Sequence, residues 1–174
     1  MSVVKDISAK AKQVQRDYAG DADRPLAGYA GAMGAYGAFV GGLTALGRLL
    51  GARVPHRIGA ADTALLGAAT FKASRMLAKA AITSPLRAPF TRYEEPAGED
   101  ELNESVPAKG HAGHAIGELV SCPFCLDVWI GTGLAAGLIM APKPTRLVAT
   151  VLTAVGAADA LHLLYDAGKK LASG

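Results

Sequence analysis

The sequence predicts an all-α polytopic membrane protein, about four transmembrane helices preceded by an amphipathic helix. Three observations carry this. Leu26 to Gly47 is a run of 22 residues without a charge. At 1.5 Å per residue it covers about 33 Å, enough for a hydrocarbon core of about 30 Å. Three more apolar segments follow, at 58–82, 122–141 and 147–165. Apolar residues are 51% of the 174 and charged residues only 19%, which excludes general disorder. Alanine and glycine together are about a third of the chain and hold the mean hydropathy down to +0.24. The formal charge of +3 gives no argument for a nucleic-acid partner, and two cysteines cannot build a disulfide framework.

Residues 1–25 form a basic N-terminal segment. Val4, Ile7, Ala11, Val14 and Tyr18 recur at spacings of three and four, which places them on one side of a helix. The stretch is too polar to read as a signal peptide and reads as a surface helix lying at the membrane or on the bundle. The helical membrane domain is expected over 26–165. Pro25 suits the start of the first span. Gly34, Ala38 and Gly42, with Gly37 and Gly41, make ladders of small residues that let helix backbones approach closely in lipid, so this helix is expected to pack or oligomerise through them.

Residues 48–57 are a short basic turn. The helix over 58–82 is apolar at first apart from Asp62, then carries Lys72, Arg75 and Lys79 near one end, where long stems reach the interface. Its end is expected at Ser84-Pro85, because the residue before proline avoids the α region. Residues 94–117 are an acidic, glycine- and proline-broken stretch expected to be a solvated loop, with Lys109 its lone base. Pro142 and Pro144 punctuate the turn between the last two spans, and 166–174 form a basic tail. With four spans and both termini cytoplasmic, 13 of the 18 lysines and arginines lie inside, so that topology is the expected one.

Cys122-Pro-Phe-Cys125 is the sharpest chemical feature. Ser121 or Cys122 can cap the helix that follows, and a thiol there sees the positive end of the macrodipole. Cys122 and Cys125 are therefore catalytic candidates for thiol–disulfide exchange, although no further cysteine is present to relay electrons and Asp127 opposes ionisation. A second reading is a zinc site, in which His111 and His114 join Cys122 and Cys125 in a tetrahedral set. A third is that the cysteines simply pack a tight helix entrance. Asp159 and His162 share a face of the last span as a polar pair inside the membrane. The expected role is structural or interactive rather than enzymatic, with the lipid bilayer and other membrane helices, including a second copy, as partners.

Two motifs resemble a known family. Thr83-Ser-Pro-Leu-Arg-Ala-Pro-Phe-Thr91 and Gly117-Glu-Leu-Val-Ser-Cys-Pro-Phe-Cys125, followed by Val128-Trp129, are similar to the bacterial family called domain of unknown function 1360. The likeness runs from about Asp62 to Leu164. It implies a small multi-pass membrane protein without an assigned activity, in a family that includes sporulation-associated membrane proteins. This chain departs from that pattern by an N-terminal extension carrying an extra Ala/Gly-rich span and by the acidic stretch between the motifs.

Overall fold

The computed structural model describes residues 2–20, 24–107 and 110–173; Met1, Lys109 and Gly174 lie outside them. Helix α1 spans Ser2–Ala19, α2 Leu26–Leu49, α3 Ala60–Lys79, α4 Ser84–Arg87, α5 Gly110–Ser121, α6 Pro123–Met140 and α7 Pro142–Ser173, and a 3-10 turn covers Ala81–Thr83. Strands β1 (Arg92–Gly98) and β2 (Glu101–Ser105) pair antiparallel, with Arg92 opposite Ser105 and Gly98 opposite Glu101.

Four long helices form the bundle and alternate in direction. Tyr36 Oη shares a hydrogen bond with Thr132 Oγ1 at 2.8 Å, and Gly47 lies beside Met140 further along, so α2 and α6 run parallel. Asp62 meets Arg146, and Thr153 Oγ1 donates to the Leu65 carbonyl, so α3 and α7 run together in the opposite sense. The arrangement is up-down-up-down. Trp129 of α6 anchors α2 between Tyr36, edge-on at 5.3 Å, and Phe39 at 5.4 Å.

The bundle is packed inside out relative to a water-soluble one. Apart from Pro25, the buried apolar side chains among the described residues are all alanines: Ala69, Ala73, Ala78, Ala115 and Ala149. Large side chains such as Phe71, Val128, Leu147, Val151, Val155 and Leu161 face outward. Small residues inside and bulky apolar residues outside suit helices that associate by close backbone approach in lipid, where no hydrophobic force drives them together.

Among the described residues two helices, α6 and α7, are long and apolar enough to cross a membrane. In α2 glycine and alanine dilute the hydropathy, and in α3 Asp62, Lys72, Arg75 and Lys79 interrupt it.

Three local expectations need correcting. The acidic stretch is a hairpin followed by a helix, not a loop: strand pairing absorbs Pro96 and Gly98, and Gly110, at φ 69°, opens a helix in which Gly117 is buried. Residues 166–173 continue α7 rather than forming a separate tail. The α2 ladder faces away from the bundle, since a Cβ added at Gly31, Gly34, Gly37, Gly41 or Gly42 would meet nothing within 4 Å. The close approaches occur elsewhere. At Gly28 a Cβ would sit 2.1 Å from the His111 carbonyl oxygen, and at Gly117 it would sit 2.5 Å from Val106 Cγ1.

Candidate functional site

The functional candidates gather at the end of the bundle where α2 and α6 begin. Its frame is the turn after α3. Pro85 enters the first turn of α4, and that short helix points Arg87 back under the end of α3. Arg87 is 1% exposed, and all five of its N–H groups are bonded. Nε and Nη2 donate to Glu104 Oε2 and Oε1 at 2.8 and 2.9 Å. Nη1 donates to the Leu77 carbonyl and to Thr83 Oγ1, both at 2.8 Å, and Nη2 also reaches the Ala80 carbonyl at 3.2 Å. One guanidinium, together with the Thr83 hydroxyl, thus caps carbonyls at the end of α3 and clamps the hairpin to them. The hairpin is held a second time, by the Ala81 N–H donating to the Asp100 carbonyl at 2.9 Å and by Arg75 Nε donating to Glu101 at 3.0 Å.

Burial pushes the Glu104 carboxyl up, but hydrogen bonds from Arg87 and Thr91, with the charges of Arg87 and Lys79, outweigh it and leave the group below its ordinary value. A depressed folded pKa means that the stabilisation is fully present above the unfolded value, about 4.3, and is lost as pH falls through the folded one. Thermal melts of detergent-solubilised protein are therefore expected to be flat from neutrality to about pH 5 and to fall below about pH 4. Glu104→Gln should lower the neutral melting temperature and flatten the acid limb. An acid limb of unchanged steepness in that variant would assign the loss to other carboxylates.

Above this frame sits a cluster around Glu118 of α5. Tyr29 Oη donates to Glu118 Oε2 at 2.6 Å, Arg24 Nη1 to Oε1 at 3.2 Å, and His114 Nε2 lies 3.4 Å from the same oxygen. The helix places His114 and Glu118 one turn apart on one face, and Gly28 lets α2 come close enough for Tyr29 to reach them. His114 Nδ1 is buried and makes no hydrogen bond among the described residues.

Cys122 caps α6, as expected, with φ −106° and ψ 109°, and its Sγ accepts the Cys125 N–H at 3.3 Å. Both thiols are free; Cys122 is half-buried and Cys125 exposed. Asp127, one turn into α6, keeps a buried Oδ1 with no hydrogen-bond partner among the described residues.

The four zinc candidates do not converge. Among the described residues no group of three or more His, Cys, Asp or Glu side chains is placed to hold a metal ion. The reason is α5: a rigid helix between His111 and Cys122 separates them by about 16 Å of rise, where a flexible loop could have folded back. The membrane pair is also arranged differently. Asp159 takes its ion pair from Lys72 across the α3–α7 interface, and His162 stays exposed on α7. Sequence reasoning missed the Arg87–Glu104 fork; it expected Asp62 and Asp159 to pair with basic residues between helices but did not name Arg146 and Lys72, and the members of the three pairs are 17 to 87 residues apart. The only advance signal was an Arg-Ala-Pro-Phe turn with an unexplained arginine beside an acid-rich segment.

Residues 65–165 match the family described as "Protein of unknown function (DUF1360)". The match begins within α3 and ends within α7, so it contains the Arg87 frame, Glu118 and both cysteines but neither α1 nor α2. The chain is also 30% identical over 104 residues to "Sporulation protein YjcA" of Bacillus subtilis (strain 168), covering 59% of this chain and 88% of that relative. None of the solved structures matches it.

Proposed function

The chain belongs to the DUF1360 family, and from that premise we propose that it is a multi-pass membrane protein with an interaction role. In this reading α2, α3, α6 and α7 all cross the bilayer, and the Arg87–Glu118–Cys122 end is cytoplasmic with both termini. The observation that carries it is the inverted packing, alanines inside and bulky apolar side chains outside, on four alternating helices. The charges that lower the hydropathy of α3 support it as well, since Asp62 and Lys72 are each paired with a residue of α7. The open small-residue face of α2 then serves to pack against helices of other chains, a second copy among them. The relative named as a sporulation protein makes a developmental membrane complex the natural setting for such a role.

A second reading, thiol–disulfide exchange, is favoured by the Cys122 cap and its bond from the Cys125 N–H. Alkylation kinetics separate the two. The interaction reading expects both thiols to react slowly near neutral pH, with or without a chelator. Fast, selective labelling of Cys122 would overturn it in favour of an oxidoreductase.

A further inference from the structure

At the opposite end of the bundle lies a cleft of about 340 Å³ that belongs to none of the sites above. It is bounded by the turn after α2, the start of α3, the end of α6 and the start of α7. Its polar groups are three arginines, Arg53, Arg57 and Arg146, against the single carboxylate of Asp62. Among the described residues Asp62 engages only Arg146, accepting from Nε at 2.9 Å and Nη2 at 2.8 Å, which fixes that guanidinium in place. Among the described residues Arg53 and Arg57 have no partner: both are exposed on the turn, and neither forms an ion pair or hydrogen bond. The rest of the wall is apolar, with Leu66 of α3 and Leu138 and Ile139 of α6 reaching down toward the bundle.

Unpaired guanidinium groups beside an apolar wall, in a volume typical of small-molecule sites, call for an anion joined to a hydrocarbon tail. We propose that this cleft binds an anionic amphiphile, its phosphate held between Arg53 and Arg57 and its tail lying along Leu66, Leu138 and Ile139. The same phosphate chemistry could be offered by a phospholipid headgroup or by free phosphate; the continuous apolar wall selects the lipid. The inference rests on the membrane reading above. Its failure is separable, because binding is read in detergent and does not depend on which side of a membrane the cleft faces.

The test is native mass spectrometry of the full chain released from neutral maltoside micelles with added phosphatidylglycerol, phosphatidylcholine or inorganic phosphate. The expected result is one phosphatidylglycerol retained per chain, with phosphatidylcholine held at least tenfold more weakly, on the order expected for loss of net charge at such a site. Arg53→Ala/Arg57→Ala should weaken phosphatidylglycerol about tenfold or more without changing the melting temperature, since neither side chain supports the fold. Arg48→Ala, which removes a charge from the same end outside the cleft, should change the affinity less than about twofold. Equal loss in Arg48→Ala, full binding by the double variant, or displacement of the lipid by an equal concentration of inorganic phosphate would each overturn the assignment.

Discussion

Arg87→Ala is expected to be the most damaging single substitution in the chain, lowering stability by about 3–5 kcal/mol. It removes five hydrogen bonds at once, takes a donor from each of the Leu77 and Ala80 carbonyls at the end of α3, and leaves Glu104, whose side chain is 5% exposed, buried without its arginine. Arg87→Lys should recover little, because an ammonium cannot reproduce the two-pronged contact to Glu104 while also reaching two carbonyls. Replacing both members, as in Arg87→Met/Glu104→Leu, should be milder than Arg87→Ala, since no charge is then left unpaired. Thermal unfolding in detergent measures all three. A melting temperature for Arg87→Ala close to that of the parent would show that the fork does not hold the hairpin to α3.

The second large effect is at the close-approach glycines. Gly28→Ala is expected to cost about 1–3 kcal/mol or more, because the added methyl would lie 2.1 Å from the His111 backbone oxygen and 2.9 Å from Ala115 Cβ. Neither atom is the end of a flexible side chain, so α2 must move off α5 and take Tyr29 away from Glu118. Gly117→Ala meets Val106 at 2.5 Å and the Phe90 carbonyl at 3.0 Å, and should loosen α5 from the turn below it in the same way. Gly37→Leu and Gly41→Leu, by contrast, should leave the melting temperature of the separated chain nearly unchanged, since open space surrounds both positions. They should instead reduce association measured by cross-linking in membranes. Equal destabilisation by Gly28→Ala and Gly37→Leu would mean that the two faces of α2 are packed alike.

Much of the architecture is legible in local pattern. The uncharged run from Leu26, the proline that opens α6 and the capping Cys122 are signals that act within a turn or two of helix, and those helices begin where the signals stand; Pro142 and Pro144, expected to mark a turn, instead lie in the first turn of α7, where proline is tolerated. What pattern cannot supply is partnership across the chain. Nothing near Glu104 in sequence indicates that it faces Arg87, and nothing near Asp159 indicates Lys72, because both pairs form only once separate elements have docked. The glycines show the same limit from the other side. A ladder of small residues says that a helix can be approached closely, but Gly28, outside the ladder, is where the approach within this chain occurs. The segment at 94–117 misleads for a different reason: strand pairing with bulges tolerates Pro96 and Gly98, so those breakers mark a hairpin instead of a loop, while Gly110, Gly113 and Gly117 lie within helix α5.

Topology mapping decides whether four helices cross the bilayer with the Arg87 end in the cytoplasm. Reporters inserted after Pro55, after Glu99 and after Ala141, and one fused after Ser173, sample the four ends of the alternating bundle. Reporters at Glu99 and Ser173 should be active only in their cytoplasmic form, and those at Pro55 and Ala141 only in their external form. Reporters at Pro55 and Glu99 found on the same side of the membrane would contradict it, because α3 would then not cross.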